Sequence, residues 1–285
     1  MFVITGATGH TGSVAAETLL AAGKEVRVVV RDAAKAERLK ALGAEVVVVD
    51  LGDAGALARA ARGAEGIFLL SPPELAASDF ISERRRLTQS QVDALAAVEV
   101  RHVVLLSSIG AQQTAGTGII ASVHNAEQQL RAARVPATFV RAAYFVENWG
   151  AVVQAVKQDG VLPSFIAADQ RVPMVSTVDI GRTVAQALLD GPRGERVIEL
   201  SGPSDVSPND VATTLSGILG SQVVVAAAAL DAVVPTFRAF GVSPNIAELY
   251  RGMYEGIARG VVRAAPGEHV RGTTPLAATL RALVS

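Results

Sequence analysis

Residues Phe2–Gly12, FVITGATGHTG, join an apolar run to a glycine-rich turn at the start of the chain. Gly6 permits a sharp turn, Gly9 lets backbone approach a ligand, and Gly12 allows a helix to pack closely on a strand. Free N–H groups at the start of that helix favour an anion such as a pyrophosphate. The alternative is a tight turn that binds nothing. We expect contacts to a dinucleotide from Gly6, Thr8, Gly9, His10, Thr11 and Gly12.

The first 140 residues alternate apolar runs with helix-like segments. The runs contain little polar alternation, as expected of parallel strands that are buried on both faces. They are Phe2–Thr5, Glu25–Val30, Glu45–Val49, Gly66–Leu70, His102–Leu106 and Ala137–Val140. This alternation predicts an α/β fold, a Rossmann-type doubly wound parallel sheet, with residues 1–150 as the NAD(P)-binding domain.

Residues 151–285 predict a smaller C-terminal lobe that covers the substrate and partly interleaves with the sheet. Its strand Arg196–Leu200 is expected to return to the sheet. Ser207 is expected to cap a helix that starts at Pro208. The polar segment Gly267-Glu268-His269 is interpreted as a surface loop, with a position at the substrate cleft as the alternative.

The second strand ends in Arg31 and Asp32, and this pair bears on the choice of dinucleotide. An Arg at this position suits the 2′-phosphate of NADP, whereas a carboxylate suits the ribose hydroxyl of NAD. Asp32 is interpreted as the cap of the next helix. The sequence therefore favours NADP (NADPH), with NAD as the alternative.

Further cofactor contacts are expected where the next strands end, because the cofactor must pass along that edge of the sheet. Asp50 and Leu51 follow the third strand and are expected beside the adenine, although a plain turn residue is the alternative for Asp50. Leu70 and Ser71 end the fourth strand. Pro72 and Pro73 then direct the chain outward.

No tyrosine in this sequence is followed four residues later by a lysine. Asn148, Tyr254 and Ala258 stand four residues after Tyr144, Tyr250 and Tyr254. In reductases that use such a pair, the lysine lowers the tyrosine pKa so that the tyrosine can protonate a carbonyl oxygen. The ordinary carbonyl-reductase mechanism is therefore not expected.

Three further segments carry a family resemblance. They are Ser107-Ser108-Ile109-Gly110, the helix around His124, and Arg141-Ala142-Ala143-Tyr144-Phe145-Val146-Glu147-Asn148. Together with the glycine turn, they resemble the NmrA-like family of atypical short-chain dehydrogenases/reductases, of the NADPH-dependent quinone oxidoreductase type. The resemblance covers roughly residues 1–185. This chain departs from the family pattern in having Ala142 and Ala143 after Arg141, and in lacking a lysine near the His124 helix.

The resemblance implies roles for individual residues. Ser107 and Ser108 would lie beside the nicotinamide ribose, and Tyr144 and Phe145 would shape the nicotinamide pocket. Tyr144 and His124 are the candidate catalytic residues, with packing roles as the alternative for each. The implied function is hydride transfer from NADPH to a small quinone or similar conjugated acceptor. The alternative function is a non-catalytic redox sensor that binds NADP(H).

Composition excludes several other classes of site. The chain has 285 residues, a net charge of −1 and no cysteine. Disulfides, thiolate metal sites and thiol catalysis are therefore excluded, and the four scattered histidines predict no metal site. A near-neutral charge gives no reason to expect nucleic acid. Neither a signal peptide nor a membrane span is expected, which favours a cytoplasmic protein with a small-molecule substrate; a homodimer is left open.

Overall fold

The computed structural model describes residues 1–72 and 74–285, so the turn expected at Pro73 lies outside the described residues. Strands are numbered here in chain order. They are β1 Phe2–Thr5, β2 Val26–Val30, β3 Glu45–Val48, β4 Gly66–Leu69, β5 Val103–Ser108, β6 Ala137–Ala142, β7 Tyr144–Phe145, β8 Val161–Ser164, β9 Val172–Val175, β10 Arg196–Ser201, β11 Asp205–Val206, β12 Val224–Ala227 and β13 Glu268–Arg271.

The α-helices are numbered in the same way. They are α1 His10–Ala21, α2 Glu37–Ala41, α3 Ala54–Ala61, α4 Phe80–Ala97, α5 Ala121–Ala132, α6 Val153–Asp159, α7 Thr177–Asp190, α8 Pro208–Leu219, α9 Val233–Ala239, α10 Pro244–Ala258 and α11 Leu276–Val284. Short 3₁₀ turns occupy Ala33–Ala36, Gly118–Ile120, Val146–Val152 and Leu230–Ala232.

Eight strands of the described chain form one parallel sheet in the order β13-β10-β6-β5-β4-β1-β2-β3. The strand order reverses between β1 and β4, which is the position where doubly wound sheets bind ligands at the carboxyl edge. The predicted α/β doubly wound fold is therefore confirmed.

Apolar side chains cover both faces of this sheet, which explains why its strands lack polar alternation. On one face, helices α1 and α7 pack together over the strands, with Leu19 and Val184 fully buried. A Cβ added to Gly181 of α7 would lie 2.6 Å from the Cβ of Val14, so these two helices touch closely. On the other face, α3, α4 and α5 bury Leu57, Leu95 and Leu130 respectively.

The second half of the chain contributes both to the sheet and to a lobe above its carboxyl edge. Strand β10 pairs with β6 in parallel, as expected for the segment Arg196–Leu200. Ser207 caps α8 with a reciprocal bond from its backbone N–H to Asp210, and Pro208 is the first residue of that helix. None of the described helices has the length and apolar character needed to cross a membrane.

One interpretation of the second half is wrong. Glu268 and His269 do not form a surface loop, because they belong to β13, which pairs with β10 at the edge of the sheet. The polar side chains are explained by this edge position. The pairing itself depends on backbone hydrogen bonds to β10, which the side-chain pattern of the segment does not reveal.

Candidate functional site

The glycine turn lies between β1 and α1 at the point where the strand order reverses. Gly6 has a φ of +59°, and a Cβ there would lie 2.6 Å from Cδ2 of Leu70. A Cβ on Gly12 would lie 2.4 Å from the carbonyl oxygen of Gly6. Both glycines are thus needed to bring the helix and the neighbouring β4 loop against the turn.

Gly9 differs from these two glycines because its open side faces no described protein atom at clashing distance. Apart from Gly9 and its two chain neighbours, the sole described atom within 4 Å of a Cβ added there is the Gly6 carbonyl oxygen, at 3.4 Å. Helix α1 begins at His10 without a side-chain cap among the described residues. The turn therefore offers an open cradle and uncapped N–H groups, which fit the pyrophosphate of a dinucleotide.

The residues expected to contact the adenosine half follow β2 and β3 at the same edge. Arg31 is exposed directly after β2, whereas Asp32 accepts a hydrogen bond from the N–H of Ala34 at 3.0 Å and caps the 3₁₀ turn. Asp50 accepts a hydrogen bond from the N–H of Gly52 at 2.9 Å, which is the geometry of a turn residue. Leu51 beside it is half-buried.

A cleft of about 530 Å³ opens at the carboxyl edge of the sheet, and its lining includes Ser71, next to the Leu70 that packs against Gly6. It brings together five of the residues expected at the site, which follow or end β4, β5 and β6. These are Ser71, Ser107, Ser108, Tyr144 and Phe145.

The opposite wall of the cleft comes from the C-terminal lobe, whose individual lining residues were not predicted. Helices α9 and α10 supply Phe237, Tyr250, Met253 and Tyr254 to its lining. The rings of Phe237 and Tyr250 stack with centroids 4.5 Å apart. The spacing of Tyr250, Met253 and Tyr254 on one helical face was the available signal, but it does not reveal which surface that face contacts.

Tyr144 points its hydroxyl towards the lobe. Its oxygen lies 3.4 Å from the hydroxyl oxygen of Tyr254. Burial raises the pKa of Tyr144, and burial raises the pKa of Tyr254 well above its ordinary value. Both phenols therefore keep their protons at neutral pH, and both are weak acids in this cleft.

His124 lies on α5 but is not among the described residues that line the cleft. Its Nδ1 lies 2.7 Å from the carbonyl oxygen of Ala111. Because a carbonyl only accepts hydrogen bonds, Nδ1 is the donor, and the ring fastens α5 to the turn after β5.

A buried cluster of charges beneath Ser107 was also missed. The Ser107 hydroxyl donates to Oε1 of Glu127 at 2.6 Å, and Glu127 is completely buried. Arg141 donates to both oxygens of Glu127, at 2.9 and 2.7 Å, and to Glu199 at 3.0 Å. Burial raises the pKa of Glu199. An Arg within the apolar strand β6 was the available signal, since a buried Arg requires carboxylate partners.

These contacts settle the direction of one hydrogen bond in the cleft. The hydroxyl hydrogen of Ser107 is held by Glu127, so Ser107 presents acceptor lone pairs to the cleft. Such a group suits a ribose hydroxyl or an amide N–H, and it does not act as a donor to a substrate oxygen.

Both the sequence and the fold of this chain are similar to those of known proteins. The sequence model of the NmrA-like family matches residues 1–255. The chain is 25% identical to the NAD(P)H azoreductase of Xenophilus azovorans, over 89% of this chain and 86% of that one. It is 31% identical to the (4-alkanoyl-5-oxo-2,5-dihydrofuran-3-yl)methyl phosphate reductase of Streptomyces griseus, over 77% of this chain and 74% of that one.

The fold also matches a solved structure along its whole length. That structure is the NADPH-dependent quinone oxidoreductase of Escherichia coli in complex with NADPH, at 25% identity, a TM-score of 0.84 and complete coverage of both chains. The resemblance seen in the glycine turn and in the segment Arg141–Asn148 is therefore confirmed, and this protein belongs to the NmrA-like family.

Proposed function

We propose that this protein is an NADPH-dependent oxidoreductase that reduces a small quinone or a similar conjugated acceptor. The observation that carries the proposal is the position of the cleft. Its lining, largely apolar and aromatic, includes Ser71, which follows the Leu70 that packs against Gly6, so a dinucleotide on the turn and an acceptor in the cleft would be neighbours. The activities named for the relatives, a quinone oxidoreductase and an azoreductase, support the same class of acceptor.

The residues that would hold NADPH follow from the carboxyl edge of the sheet. The turn from Gly6 to Gly12 would receive the pyrophosphate on uncapped N–H groups, and Arg31 would pair with the 2′-phosphate. Ser107 would accept a hydrogen bond from the ribose or the amide. The cofactor supplies the hydride; the protein supplies orientation.

The protein side chains at the acceptor end of the cleft would hold the acceptor in place and would not donate a proton to it. Tyr144, Tyr250 and Tyr254 provide ring faces, and burial raises the pKa of each phenol. A conjugated acceptor needs no proton donor from the protein, because the negative charge on its reduced oxygen is delocalised and that oxygen can take its proton from water. Simple ketones differ, because an alkoxide forming on the substrate needs a donor or an oxyanion site.

The decisive experiment measures NADPH oxidation with a panel of small quinones and a panel of simple ketones. We expect turnover with the quinones and little with the ketones, after subtraction of the reaction without protein. Tight NADPH binding without any acceleration would reject the enzyme and support a redox sensor. Efficient reduction of ketones would reject the proposed mechanism, because it would require an acid that the cleft was not expected to contain.

A further inference from the structure

The cleft lining carries one negative charge and no positive charge among its described residues. Among the described residues that line it, Glu74 is the only ionisable side chain other than the tyrosines, and no Lys, Arg or His is present. An anion that enters such a cleft loses its hydration without gaining a cationic partner, which is costly. A neutral acceptor avoids this cost.

The carboxylate of Glu74 is held in a defined position at the mouth of the cleft. Its Oε1 accepts hydrogen bonds from the N–H groups of Leu75 and Ala76, both at 2.9 Å. These two bonds are the main reason that the pKa of Glu74 lies below its usual value, and Arg84 and Arg31 lower it further. The carboxylate is therefore ionised at neutral pH.

The second oxygen of Glu74 remains available to a ligand. Oε2 accepts no hydrogen bond among the described residues and forms a long ion pair with NH2 of Arg84 at 3.8 Å, so it can still approach a cationic ligand. The Glu74 side chain is 37% exposed, so it reaches solvent at the entrance. Phe237, Tyr250 and Tyr254 also line the cleft, and aromatic rings carry a negative quadrupole on their faces that attracts cations.

We propose that this cleft selects its acceptor by charge: it takes neutral or cationic planar acceptors, rejects anionic ones, and uses Glu74 as the selecting residue. The inference rests on the proposed function. The reaction balances for each acceptor. A quinone gains a hydride and one proton from water and leaves as the hydroquinone, while NADPH is the electron donor. The charged substituent takes no part in the chemistry and affects binding only.

The test uses three quinones with one ring system: naphthoquinone, its sulfonate and a trimethylammonium-substituted derivative. Each kcat/KM is divided by the rate at which free NADPH reduces the same quinone, which removes differences in intrinsic reactivity. We expect the normalised value for the sulfonate to be about tenfold or more below that of the neutral quinone. The cationic quinone is expected to equal or exceed the neutral one, with its advantage declining as salt is added.

Glu74→Gln keeps an oxygen that can accept the two backbone hydrogen bonds and removes the charge. It is expected to lower the ratio of cationic to neutral kcat/KM by about two- to fivefold, since the carboxylate is partly exposed. The ratio of kcat/KM for the sulfonate to kcat/KM for the neutral quinone should rise. Glu37→Gln is the matched control, because Glu37 is an exposed carboxylate on α2 outside the cleft lining; both ratios should stay unchanged.

Calorimetric binding of the three hydroquinones to the protein with NADP⁺ gives a second measurement that needs no turnover. Equal affinities and equal normalised rates across the three charges would overturn the inference and leave the proposed function intact. Unchanged ratios in Glu74→Gln would overturn the role of Glu74. If no quinone is reduced, the proposed function fails, while the binding series still decides whether the cleft selects by charge.

Discussion

At the scale of single residues, variants of Tyr144 can distinguish a role in positioning the acceptor from a role as an acid catalyst. Its ring lines the cleft, and burial raises the pKa of its hydroxyl. We therefore expect Tyr144→Phe to keep most of the quinone turnover, because the ring face remains. Tyr144→Ala should lose about tenfold or more in kcat/KM through poorer positioning. The measurement is NADPH oxidation at several quinone concentrations.

Comparison of the two variants shows whether the positioning role is wrong. If Tyr144→Phe is as inactive as Tyr144→Ala, the hydroxyl itself is required, and Tyr144 would have to act as a donor in spite of its raised pKa. Thermal melting of both variants serves as the control for folding, since Tyr144 also lies against Trp149 with ring centroids 6.3 Å apart.

Arg31 is the residue expected to distinguish the two dinucleotides. A charge-assisted bond to the 2′-phosphate contributes roughly 1.5–3 kcal/mol. We expect NADPH to bind about tenfold or more tightly than NADH, and Arg31→Ala to remove most of that difference. Calorimetry on both proteins with both cofactors measures it, and Arg62→Ala, which changes an exposed arginine that precedes β4, provides a matched control. Equal affinities of the wild-type protein for NADPH and NADH would reject this role.

The sequence predicted conformation best where it depends on local backbone. Gly6 and Gly9 lie between β1 and α1, and Gly12 lies in the first turn of α1, as their spacing indicated. Glu127 and Glu199 were not predicted, because their partner Arg141 reaches them from another strand across the fold. His124 was predicted from resemblance, and the structure places it away from the cleft lining.

At the scale of elements, the unit β1–turn–α1 allows packing and binding to be tested separately. Gly12→Ala should destabilise the fold, because its Cβ would lie 2.4 Å from the Gly6 carbonyl oxygen. Gly9→Val should leave the melting temperature nearly unchanged, since the space beside Gly9 is open, yet it should abolish dinucleotide binding.

Circular dichroism and calorimetry on these two variants distinguish the cases. Wild-type affinity in Gly9→Val would mean that the turn has a purely structural role. A wild-type melting temperature in Gly12→Ala would mean that α1 moves easily away from the turn, contrary to the contact described above.

Elements were predicted best where a long apolar period or a cap defines them. Helix α8 starts at Pro208 after Ser207, as its capping residues indicate. Glu268 and His269, the first two residues of β13, were interpreted as part of a loop, because a short edge strand with mostly polar side chains has no apolar pattern. A C-terminal lobe over the substrate was expected, but the residues of α9 and α10 that line the cleft were not, since docking of a helix depends on the surface opposite it.

At the scale of the whole molecule, His102 couples stability to pH. It is fully buried at the start of β5, with Nε2 2.9 Å from Oγ1 of Thr138. Burial lowers its pKa from 6.5 to about 4. Below pH 6.5 the unfolded chain binds a proton at this position and the native protein does not. The contribution of the neutral His102 ring to the free energy of unfolding is therefore lost as the pH falls from about 6.5 to about 4.

The full shift corresponds to about 3 kcal/mol of unfolding free energy at the acid end of that window. We expect His102→Gln to flatten the decline of unfolding free energy over this range, measured by urea unfolding without cofactor. His10→Gln, which changes an exposed histidine, should leave the decline as in the wild type. An unchanged decline in His102→Gln would show that other groups cause it.

The pairing of β10 with β6 has a consequence for the growing chain on the ribosome. Strand β6 ends at Ala142, whereas its outer neighbour begins at Arg196 and supplies Glu199 to Arg141. At a synthesis rate of roughly 5–20 residues per second, the interval between the two strands lasts on the order of seconds. During that interval the nascent sheet has an open edge at β6, and Arg141 lacks one of its two carboxylates. A chaperone that binds exposed strand edges would find its target on this protein at that stage of translation.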